Sequence, residues 1–532
     1  MECRWNVNNY EGSCEIRPGE NHILVPIKPG TPLFRAEAAI DMPPSEKMFF
    51  NGYQTWTHSP EFEPHHKIRG LHGLTKLITK PLGLFHYSDY HFVDYPNRKG
   101  ILHGFSYCYF RDGNRYRLLA SLDERPGYTI FTYLAEKDIL MLKRDCEGVK
   151  AGSPEFHLLD LFYAEGSEQE VFDQWFDALG IHNKAPKIKG YSSWYNHYLK
   201  ISEASIRDDL AGAKKIFDEG DLFQIDDGWE PFVGDWESPD PRKFPYGLQP
   251  IVRDIHDAGF RAGLWLAPFA CVKRSKICRE HPDWLLRYQE KPWKNGPNWG
   301  GFYSLDIDNP EVRDHLKSVF RRVLDEWGFD LVKLDFLFAA APLPTGDHGY
   351  GNDGPFPESR AARMIRALEF LRECCGKKLI LGCGVPVMPA FGLVDYCRVG
   401  SDVGLDWDDL PPMRMLHRER VSTNHSIDNT IFRRQLDGRA FGSDPDIFFL
   451  RDHNIRLSAQ EKNYQAVLDA LFGSVWLTSD NLNAYDAARI AQYRKLARLQ
   501  HAENIRIDPD LLTITYTLDG DDHFLHHPHK FS

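Results

Sequence analysis

The sequence predicts an α/β protein built around a central (β/α)8 barrel, with a β-rich domain before it and a short β region after it. Residues 1–163 contain short runs of β-branched and aromatic residues separated by turn clusters such as PNRKG and RDGNR, which is typical of a sandwich-like domain. From about residue 186 apolar strands alternate with amphipathic helical stretches, the pattern of βαβ units. The sequence becomes β-like again after about residue 496.

Four segments follow from these changes of pattern: a sandwich domain over 1–163, a helical linker over 164–185, a barrel over 186–495 and a short C-terminal β region over 496–532. Eight candidate strands lie in the barrel segment, at 189–194, 221–226, 260–267, 330–336, 378–383, 393–399, 446–450 and 474–478. The clearest helix lies at 311–327, where apolar residues recur at helical spacing. A doubly wound sheet is the alternative architecture.

Composition narrows the class of protein. The chain has 532 residues, of which 42% are hydrophobic, and this is enough to bury a large core. Its formal net charge is −12 and it has no basic run, so we expect no nucleic-acid partner. The start of the sequence lacks the charged and apolar pattern of a signal peptide, and no window approaches the length of a transmembrane helix, so we expect no membrane partner.

The ten cysteines are scattered along the chain and form no C-x-x-C pair. This spacing is typical neither of a disulfide framework nor of a zinc site, and we predict reduced thiols in a cytoplasmic protein. No metal or cofactor is predicted. The sequence is compatible with a homo-oligomer.

Charged and aromatic residues follow the predicted strands at their carboxyl ends, where the active sites of barrels lie. They occur in four motifs, FQIDDGWE, GLWLAP, VKLDF and CRVGSD. A single aspartate at a strand end is most often a helix N-cap. Several carboxylates, a lysine, an arginine and aromatics that converge at one edge instead indicate a functional cluster.

Three functions fit this cluster. Asp226, Asp335 and Asp402 would be oxygen ligands for a magnesium or manganese ion, although Lys333 lies beside Asp335. Two carboxylates would cleave a glycosidic bond, with aromatic rings stacked on the apolar face of the sugar. A sugar-binding protein without activity would need the aromatics alone. We favour glycoside cleavage with a small carbohydrate as the substrate.

The ordered motifs resemble those of α-galactosidases of glycoside hydrolase family 36. They run from NGYQTW and GYSSWYNHY through FQIDDGWE, VGDWE, KFPYGL, IHDAGFRAGLWLAPF, HPDW, DLVKLDFLFA and LILGCGVP to RVGSD, and so cover about residues 50–450. The resemblance implies an N-terminal β-supersandwich, a (β/α)8 catalytic barrel and a C-terminal antiparallel β domain, which is short in this chain.

The resemblance also implies catalytic roles. Asp335 matches the nucleophile, which forms a covalent galactosyl-enzyme, and Asp402 matches the acid/base. This is the retaining double displacement, in which the two carboxyl groups lie about 5–5.5 Å apart. The implied activity is hydrolysis of terminal α-galactosides such as raffinose-type oligosaccharides.

Two aspartates and a lysine match the residues that bind the sugar hydroxyls. Asp226 and Asp227 would hold the 4- and 6-hydroxyls, and Lys333 would bind the 3- and 4-hydroxyls. The charge of Lys333 would also keep Asp335 ionised.

The remaining matches line the sugar pocket. Arg398 would contact the side of the 2- and 3-hydroxyls, Trp265 would pack on the C6 side and Trp194 would line the pocket. Tyr53 and Trp56 would close the pocket from the N-terminal domain.

Some alternatives remain open at this stage. Cys383 matches a small-residue stretch beside the 2-position, or is a buried core thiol. A small residue there would leave room for a 2-acetamido group, so an α-N-acetylgalactosaminidase is one alternative and an α-galactosyl transglycosylase is another. We expect Asp406, Asp408 and Asp409, which follow Asp402 closely, to form a solvated acidic loop.

Overall fold

The computed structural model describes residues 1–71, 77, 89–288, 290–343, 356–408 and 413–529. Twelve strands, β1–β12, lie in the first part of the described chain. Their bounds are Glu2–Val7, Tyr10–Glu15, Gly19–Pro26, Ala36–Asp41, Lys47–Phe50, Glu61–Phe62, Ile101–Phe105, Tyr107–Asp112, Arg115–Ser121, Thr129–Leu134, Ile139–Arg144 and Glu155–Gly166.

These strands form two antiparallel six-stranded sheets, in the orders β2-β1-β4-β11-β10-β7 and β3-β12-β9-β8-β5-β6. Apolar side chains from both sheets share one buried cluster: Ile40 and Leu142 come from the first sheet, and Val25, Phe110 and Leu161 from the second. Two sheets that bury their facing sides in this way are the arrangement expected of a sandwich.

The helix predicted for the segment 164–185 spans Glu168–Leu179. Ser167 and Glu170 form a capping box at its start, and Gly180 ends it in the left-handed conformation with φ of 65°. Trp175 anchors the helix on the N-terminal sheets, since its indole N–H donates to the Ser121 carbonyl at 3.0 Å.

Short strands continue through the second half of the chain as β13–β26. They span Ile188–Ser192, Leu222–Ile225, Arg261–Leu266, Ala270–Val272, Arg287–Tyr288, Lys291–Pro292, Lys294–Gly296, Phe302–Ser304, Leu331–Leu334, Leu379–Gly382, Tyr396–Arg398, Gly442–Asp444, Ile447–Phe448 and Val475–Thr478. The strands β16–β20 form two small antiparallel sheets between β15 and β21.

The other strands form a parallel sheet in the order β24-β23-β22-β21-β15-β14-β13-β26-β25. Its two outermost strands, β24 and β25, belong to one stretch of chain, 442–448. The sheet therefore curls until its edges meet in that stretch, which a doubly wound sheet does not do. The strand predicted at 446–450 corresponds to β25. The paired stretch begins earlier than the apolar residues indicate, because β24 starts at Gly442.

Helices join the parallel strands. The α-helices of this region span Trp194–His197, Glu203–Ala213, Gln249–Asp257, Lys276–Glu280, Pro310–Arg321, Arg360–Cys375, Thr423–Phe432, Ala459–Phe472 and Ala487–Ala497. The predicted helix at 311–327 begins at Pro310 after the cap Asn309 and buries Val312, Leu316, Val319 and Phe320. The chain then forms a three-stranded antiparallel sheet of β27 (Glu503–Asp508), β28 (Thr513–Leu518) and β29 (Asp521–Leu525).

Arg433 joins the N-terminal sheets to the parallel sheet. Its guanidinium donates to Thr55 O and Val399 O at 2.7 Å each, and to Asn51 Oδ1 and Ser59 Oγ at 3.0 Å each. Burial lowers the pKa of Arg433 to about 10. The loop 51–59 is thus held against the parallel sheet by a cation that lies among backbone carbonyls.

In the part of the chain that the structure describes, no helix has the length and apolar character needed to cross a membrane.

Candidate active site

A cavity of about 380 Å³ lies where the parallel strands end. This volume is in the range of small-molecule sites. Its lining combines carboxylates, a lysine and aromatic rings: Trp56, Trp194, Leu199, Asp226, Asp227, Trp265, Asn298, Trp299, Lys333, Asp335, Phe336, Ser401, Asp402, Glu419, Arg420 and Val421.

Asp226 and Lys333 form a buried ion pair on the wall of the cavity. Lys333 Nζ donates to Asp226 Oδ2 at 2.9 Å, and that oxygen also accepts the Gln224 amide at 2.7 Å. Burial opposes the charge of Lys333, but the Asp226 carboxylate prevails and raises the pKa of the ammonium above its usual value. The sequence predicted that the charge of Lys333 would keep Asp335 ionised. The hydrogen bond of Lys333 goes to Asp226, and the Asp335 carboxylate also contributes to the raised pKa of the ammonium.

Asp335 is held by two N–H groups. The indole Nε1 of Trp265 donates to Oδ2 at 3.1 Å, and the backbone N–H of Phe336 donates to Oδ1 at 2.8 Å. Phe336 adopts φ of 53°, which is rare for a bulky residue, and this conformation directly follows Asp335. Both carboxylate oxygens are therefore fixed in direction by rigid donors.

Asp227 lies in a buried acidic pair. Trp299 Nε1 donates to its Oδ2 at 2.9 Å, while its Oδ1 is buried and makes no hydrogen bond within the described residues. Burial raises the pKa of Asp227 well above its usual value, and the neighbouring Glu230 carboxyl raises it further. Burial also raises the pKa of Glu230. Two neighbouring buried carboxyl groups favour a proton on one of them.

Asp402 lies at the more open end of the cavity, with a side chain that is 40% exposed. Desolvation raises its pKa, and the Arg398 guanidinium, whose Nη1 donates to Asp402 Oδ1 at 3.1 Å, opposes this rise. Arg398 is buried and also pairs with Asp444 at 3.1 Å and Asp446 at 2.8 Å. Arg398 thus holds three carboxylates in place. Burial raises the pKa of one of them, Asp446, to about 7.

Trp56 reaches the cavity from the N-terminal region. Its indole N–H donates to Cys383 Sγ at 3.4 Å, and its ring packs edge-on against Phe336 with centroids 5.0 Å apart. Gly384 permits this approach, because a Cβ at that position would lie 2.7 Å from the Trp56 ring. The aromatic wall is therefore built from two distant parts of the chain.

Eight of the predicted site residues line the cavity, and Tyr53, Arg398 and Cys383 do not. Tyr53, predicted to close the pocket, is instead buried in an aromatic cluster with Phe92, Phe105 and Tyr128. Its position in the loop turns its ring toward the N-terminal sheets.

The other two lie behind the cavity wall. Arg398 acts through Asp402 rather than facing the cavity. Cys383 is a buried thiol that accepts the Trp56 N–H, and burial raises its pKa well above the usual value. This location matches the core-thiol alternative for Cys383.

Several lining residues were not identified from the sequence. Asn298 and Trp299 lie in the turn between β19 and β20, and Glu419, Arg420 and Val421 come from the segment before the helix Thr423–Phe432. The motif WKNGPNWGG, with two tryptophans among glycines, is a signal that would have marked Trp299 as a surface aromatic. The segment RERV carries no comparable signal, because charged runs are usually solvated.

The acidic residues after Asp402 pair with arginines. Asp406 lies 3.7 Å from Arg456, and Asp408 accepts the Arg420 guanidinium at 2.6 Å. Both side chains are about one quarter exposed. Asp409 lies outside the described residues.

The arrangement places four aspartates and several fixed hydrogen-bond partners in one aromatic-walled cavity. Asp226 is already engaged by Lys333 and Asp402 by Arg398, so two of the three carboxylates considered as metal ligands are paired with protein cations. Hydroxyl groups of a sugar would find acceptors at Asp226 and Asp227 and a donor at Lys333. This combination of fold and side chains is the kind found in glycoside hydrolases.

Comparison with known proteins agrees with this assignment to the glycoside hydrolases. Residues 188–340 match the melibiase family model. The chain is 26% identical over 289 residues to an α-galactosidase of Escherichia coli, which covers 52% of this chain and 36% of that protein. It is also 29% identical over 151 residues to α-galactosidase 1 of Pediococcus pentosaceus. This match covers 27% of this chain and 20% of that protein. The matched stretches thus span well under two thirds of these relatives.

Solved structures extend the similarity over the whole chain. An α-galactosidase of Thermus thermophilus in complex with p-nitrophenyl α-D-galactopyranoside has a TM-score of 0.77 and 26% identity over 100% of both chains. An α-galactosidase of family 36 from Geobacillus stearothermophilus has a TM-score of 0.59 at 13% identity, covers 91% of this chain and 66% of that one, and so supports the fold alone. The match of residues 188–340 to the melibiase model and these similarities confirm the resemblance of the chain to α-galactosidases of glycoside hydrolase family 36.

Proposed function

We propose that this protein is a retaining exo-α-galactosidase that releases terminal α-galactose from small oligosaccharides. The supporting observation is that Asp335, held by two N–H groups, lies in one cavity with the Lys333–Asp226 ion pair and with Asp402. The relatives named above are α-galactosidases, and one similar structure of the Thermus enzyme, 27% identical over 93% of this chain and 99% of that one with a TM-score of 0.72, contains stachyose.

The scaffold belongs to the same proposal. We take the curled parallel sheet to be a closed (β/α)8 catalytic barrel over 186–495, preceded by a sandwich domain over 1–163 and the linker 164–185, and followed by a C-terminal β region over 496–532. All ten cysteines are free thiols. This supports a location in the reducing cytoplasm.

In the first chemical step an Asp335 oxygen forms a bond to the anomeric carbon while the glycosidic bond breaks. The glycosidic oxygen takes its proton from Asp402 and leaves as the hydroxyl of the aglycone. The donors Trp265 and Phe336 keep the attacking carboxylate in a fixed direction. A raised pKa suits Asp402 to hold the proton that it gives up.

In the second step water replaces the aglycone. Asp402, now ionised, takes a proton from that water while the water oxygen forms a bond to the anomeric carbon. The bond to Asp335 breaks, its electron pair returns to the carboxylate, and galactose is released with its original anomeric configuration.

Selection of galactose follows from the acidic end of the cavity. The side chains of Asp226 and Asp227 are almost completely buried, and an axial 4-hydroxyl would donate to them. A glucoside places this hydroxyl equatorially and leaves buried carboxylate oxygens without a partner, which is costly.

A panel of aryl glycosides tests the proposal: the α-galactoside, α-N-acetylgalactosaminide, α-glucoside and β-galactoside. We expect turnover of the α-galactoside to exceed that of the other three by at least about a hundredfold. NMR of the first-formed sugar should show the α-anomer. Binding of galactosides without turnover would indicate a sugar-binding protein, and preference for the acetamido sugar would indicate an α-N-acetylgalactosaminidase.

A further inference from the structure

The cavity has a closed end and an open end, and its lining changes in character between them. Asp226, Lys333 and Asp335 are all at most 8% exposed. Leu199 and Val421, which line the same cavity, are 46% and 45% exposed. A substrate that places its terminal sugar among the buried charges therefore extends its leaving group toward Leu199 and Val421.

The segment that contains Val421 lies directly against the loop of Asp402. The Ser422 N–H donates to the Asp402 carbonyl at 3.1 Å, and the Asn424 N–H donates to the Trp407 carbonyl at 2.9 Å. Thr423 Oγ1 accepts the Gly404 N–H at 3.0 Å. Since Asp402 protonates the glycosidic oxygen in the proposed reaction, groups beside it face the leaving group.

Arg420 supplies hydrogen-bond donors at this position. Its Nη2 donates to Asp408 Oδ1 at 2.6 Å, which orients the guanidinium at the cavity wall. Among the described residues this is the only side-chain hydrogen bond of Arg420. Its Nε is buried and makes no hydrogen bond with these residues, so Nη1 remains as the donor for a ligand in the cavity that Arg420 lines. Sugars bind well where hydroxyl partners lie beside exposed apolar groups, because a pyranose has hydroxyl edges and a C–H face.

We propose that Arg420, Val421 and Leu199 form a subsite that binds the leaving group, and that this subsite selects a saccharide. Arg420 donates to hydroxyls of the leaving sugar, and the two aliphatic side chains cover its C–H face. The inference rests on the proposed function, because it takes Asp402 as the proton donor. It locates the subsite within a single chain.

The test compares two substrates that share the galactosyl group and differ in the leaving group. Raffinose has a saccharide leaving group, whereas the fluoride of α-galactosyl fluoride is too small to reach the subsite. We expect Arg420→Ala to lower kcat/KM for raffinose about tenfold more than for the fluoride, the effect of one charged hydrogen bond. We expect a smaller selective loss, about threefold, for Val421→Ser and Leu199→Ser.

Arg414→Ala is the matched control. Arg414 pairs with the same Asp408 at 3.2 Å, but it is 54% exposed and does not line the cavity. We expect it to keep the wild-type ratio of the two activities. If Arg420→Ala fails to fold, Val421→Ser decides the matter, because it removes no ion pair.

The possible failures can be distinguished. If the wild-type protein hydrolyses neither substrate, the proposed function is wrong and the subsite is overturned with it. If the wild type hydrolyses both, but Arg420→Ala and Val421→Ser leave the ratio within about twofold of the wild type, only the subsite is overturned. A selective loss with raffinose in both variants supports it.

Discussion

Lys333 and Asp226 are paired at 2.9 Å across an intervening strand, since β15 lies between β21 and β14 in the sheet. The strand that they cross carries Trp265, whose indole N–H donates to Asp335. Three adjacent strand ends are thus tied together by two side-chain hydrogen bonds at the floor of the cavity. The charges that bind the sugar and the carboxylate that attacks it belong to one connected arrangement.

Removing one member of the ion pair should destabilise the fold. We expect Lys333→Met to lower the free energy of unfolding by about 3–5 kcal/mol, because it leaves Asp226 buried without its cation. The double variant Lys333→Met/Asp226→Asn should recover most of this loss without recovering activity. Urea unfolding measures both effects. Lys378→Met is the control: its pair with Asp330 is about one third exposed and should contribute less than about 1 kcal/mol.

The indole donor to Asp335 should matter for the reaction more than for substrate binding. We expect Trp265→Phe to lower kcat for an aryl α-galactoside about 10- to 100-fold, because it removes a hydrogen bond to a charged group. Trp284→Phe provides the comparison, since the Trp284 indole donates to Glu311 at 2.9 Å outside the cavity lining. Similar losses in the two variants would contradict a role for the Trp265 N–H.

Replacing the nucleophile should abolish the reaction while the surrounding geometry remains. Asp335→Asn retains an oxygen for one of the two N–H donors, and we expect turnover of an aryl α-galactoside to fall by at least about a thousandfold. Near-normal activity would show that another residue attacks. Added azide should restore formation of a galactosyl azide of inverted anomeric configuration, which a merely structural aspartate would not permit.

The proton donor can be distinguished from its acidic neighbours by leaving-group dependence. Asp402→Ala should slow a methyl α-galactoside far more than a dinitrophenyl α-galactoside, because proton donation matters most for poor leaving groups. Asp406→Ala, in the same loop, should slow both equally and only slightly. If Asp402→Ala slowed both substrates equally, Asp402 would not be the proton donor. Since desolvation raises the pKa of Asp402, activity should persist to higher pH than an ordinary aspartic acid permits.

Glu419 should make stability depend on pH. Burial raises its pKa from 4.5 to about 8 in the folded protein, while Thr57 Oγ1 donates to Oε1 at 2.7 Å. The folded state therefore holds a proton that the unfolded state releases, and stability should fall as pH rises from about 4.5 to 8. Glu419→Gln removes this dependence, so its gain in Tm over the wild type should be larger at pH 8 than at pH 5. A gain that is independent of pH would contradict the raised pKa.

The sequence predicted most of the strands that carry the site, because buried parallel strands have a distinct apolar pattern. The segment 330–336 contains β21 at Leu331–Leu334, and Lys333 and Asp335 line the same cavity, as their alternation in the strand predicts. The partner of Lys333 was not predictable in this way. Whether its ammonium meets Asp335 or Asp226 depends on the curl of the sheet, and no local pattern encodes that.

The loop NGYQTW shows the same limit. It predicted aromatic closure by both Tyr53 and Trp56, but only Trp56 lines the cavity. The Trp56 ring can enter because Gly384, more than 300 residues away in the sequence, has no side chain to meet it. Arg420 was overlooked for a related reason, since a charged run in a connecting segment has no feature that distinguishes a cavity wall from a solvated surface.

The contacts of Arg433 have a consequence for how this molecule can be divided. Its guanidinium is satisfied by carbonyl and side-chain oxygens of the loop 51–59, and the same loop carries Trp56. A shortened chain that starts at residue 186 would leave a buried cation without those acceptors and a cavity without one wall. Protein engineers who wish to graft this catalytic unit onto another scaffold would have to transfer the N-terminal sheets with it.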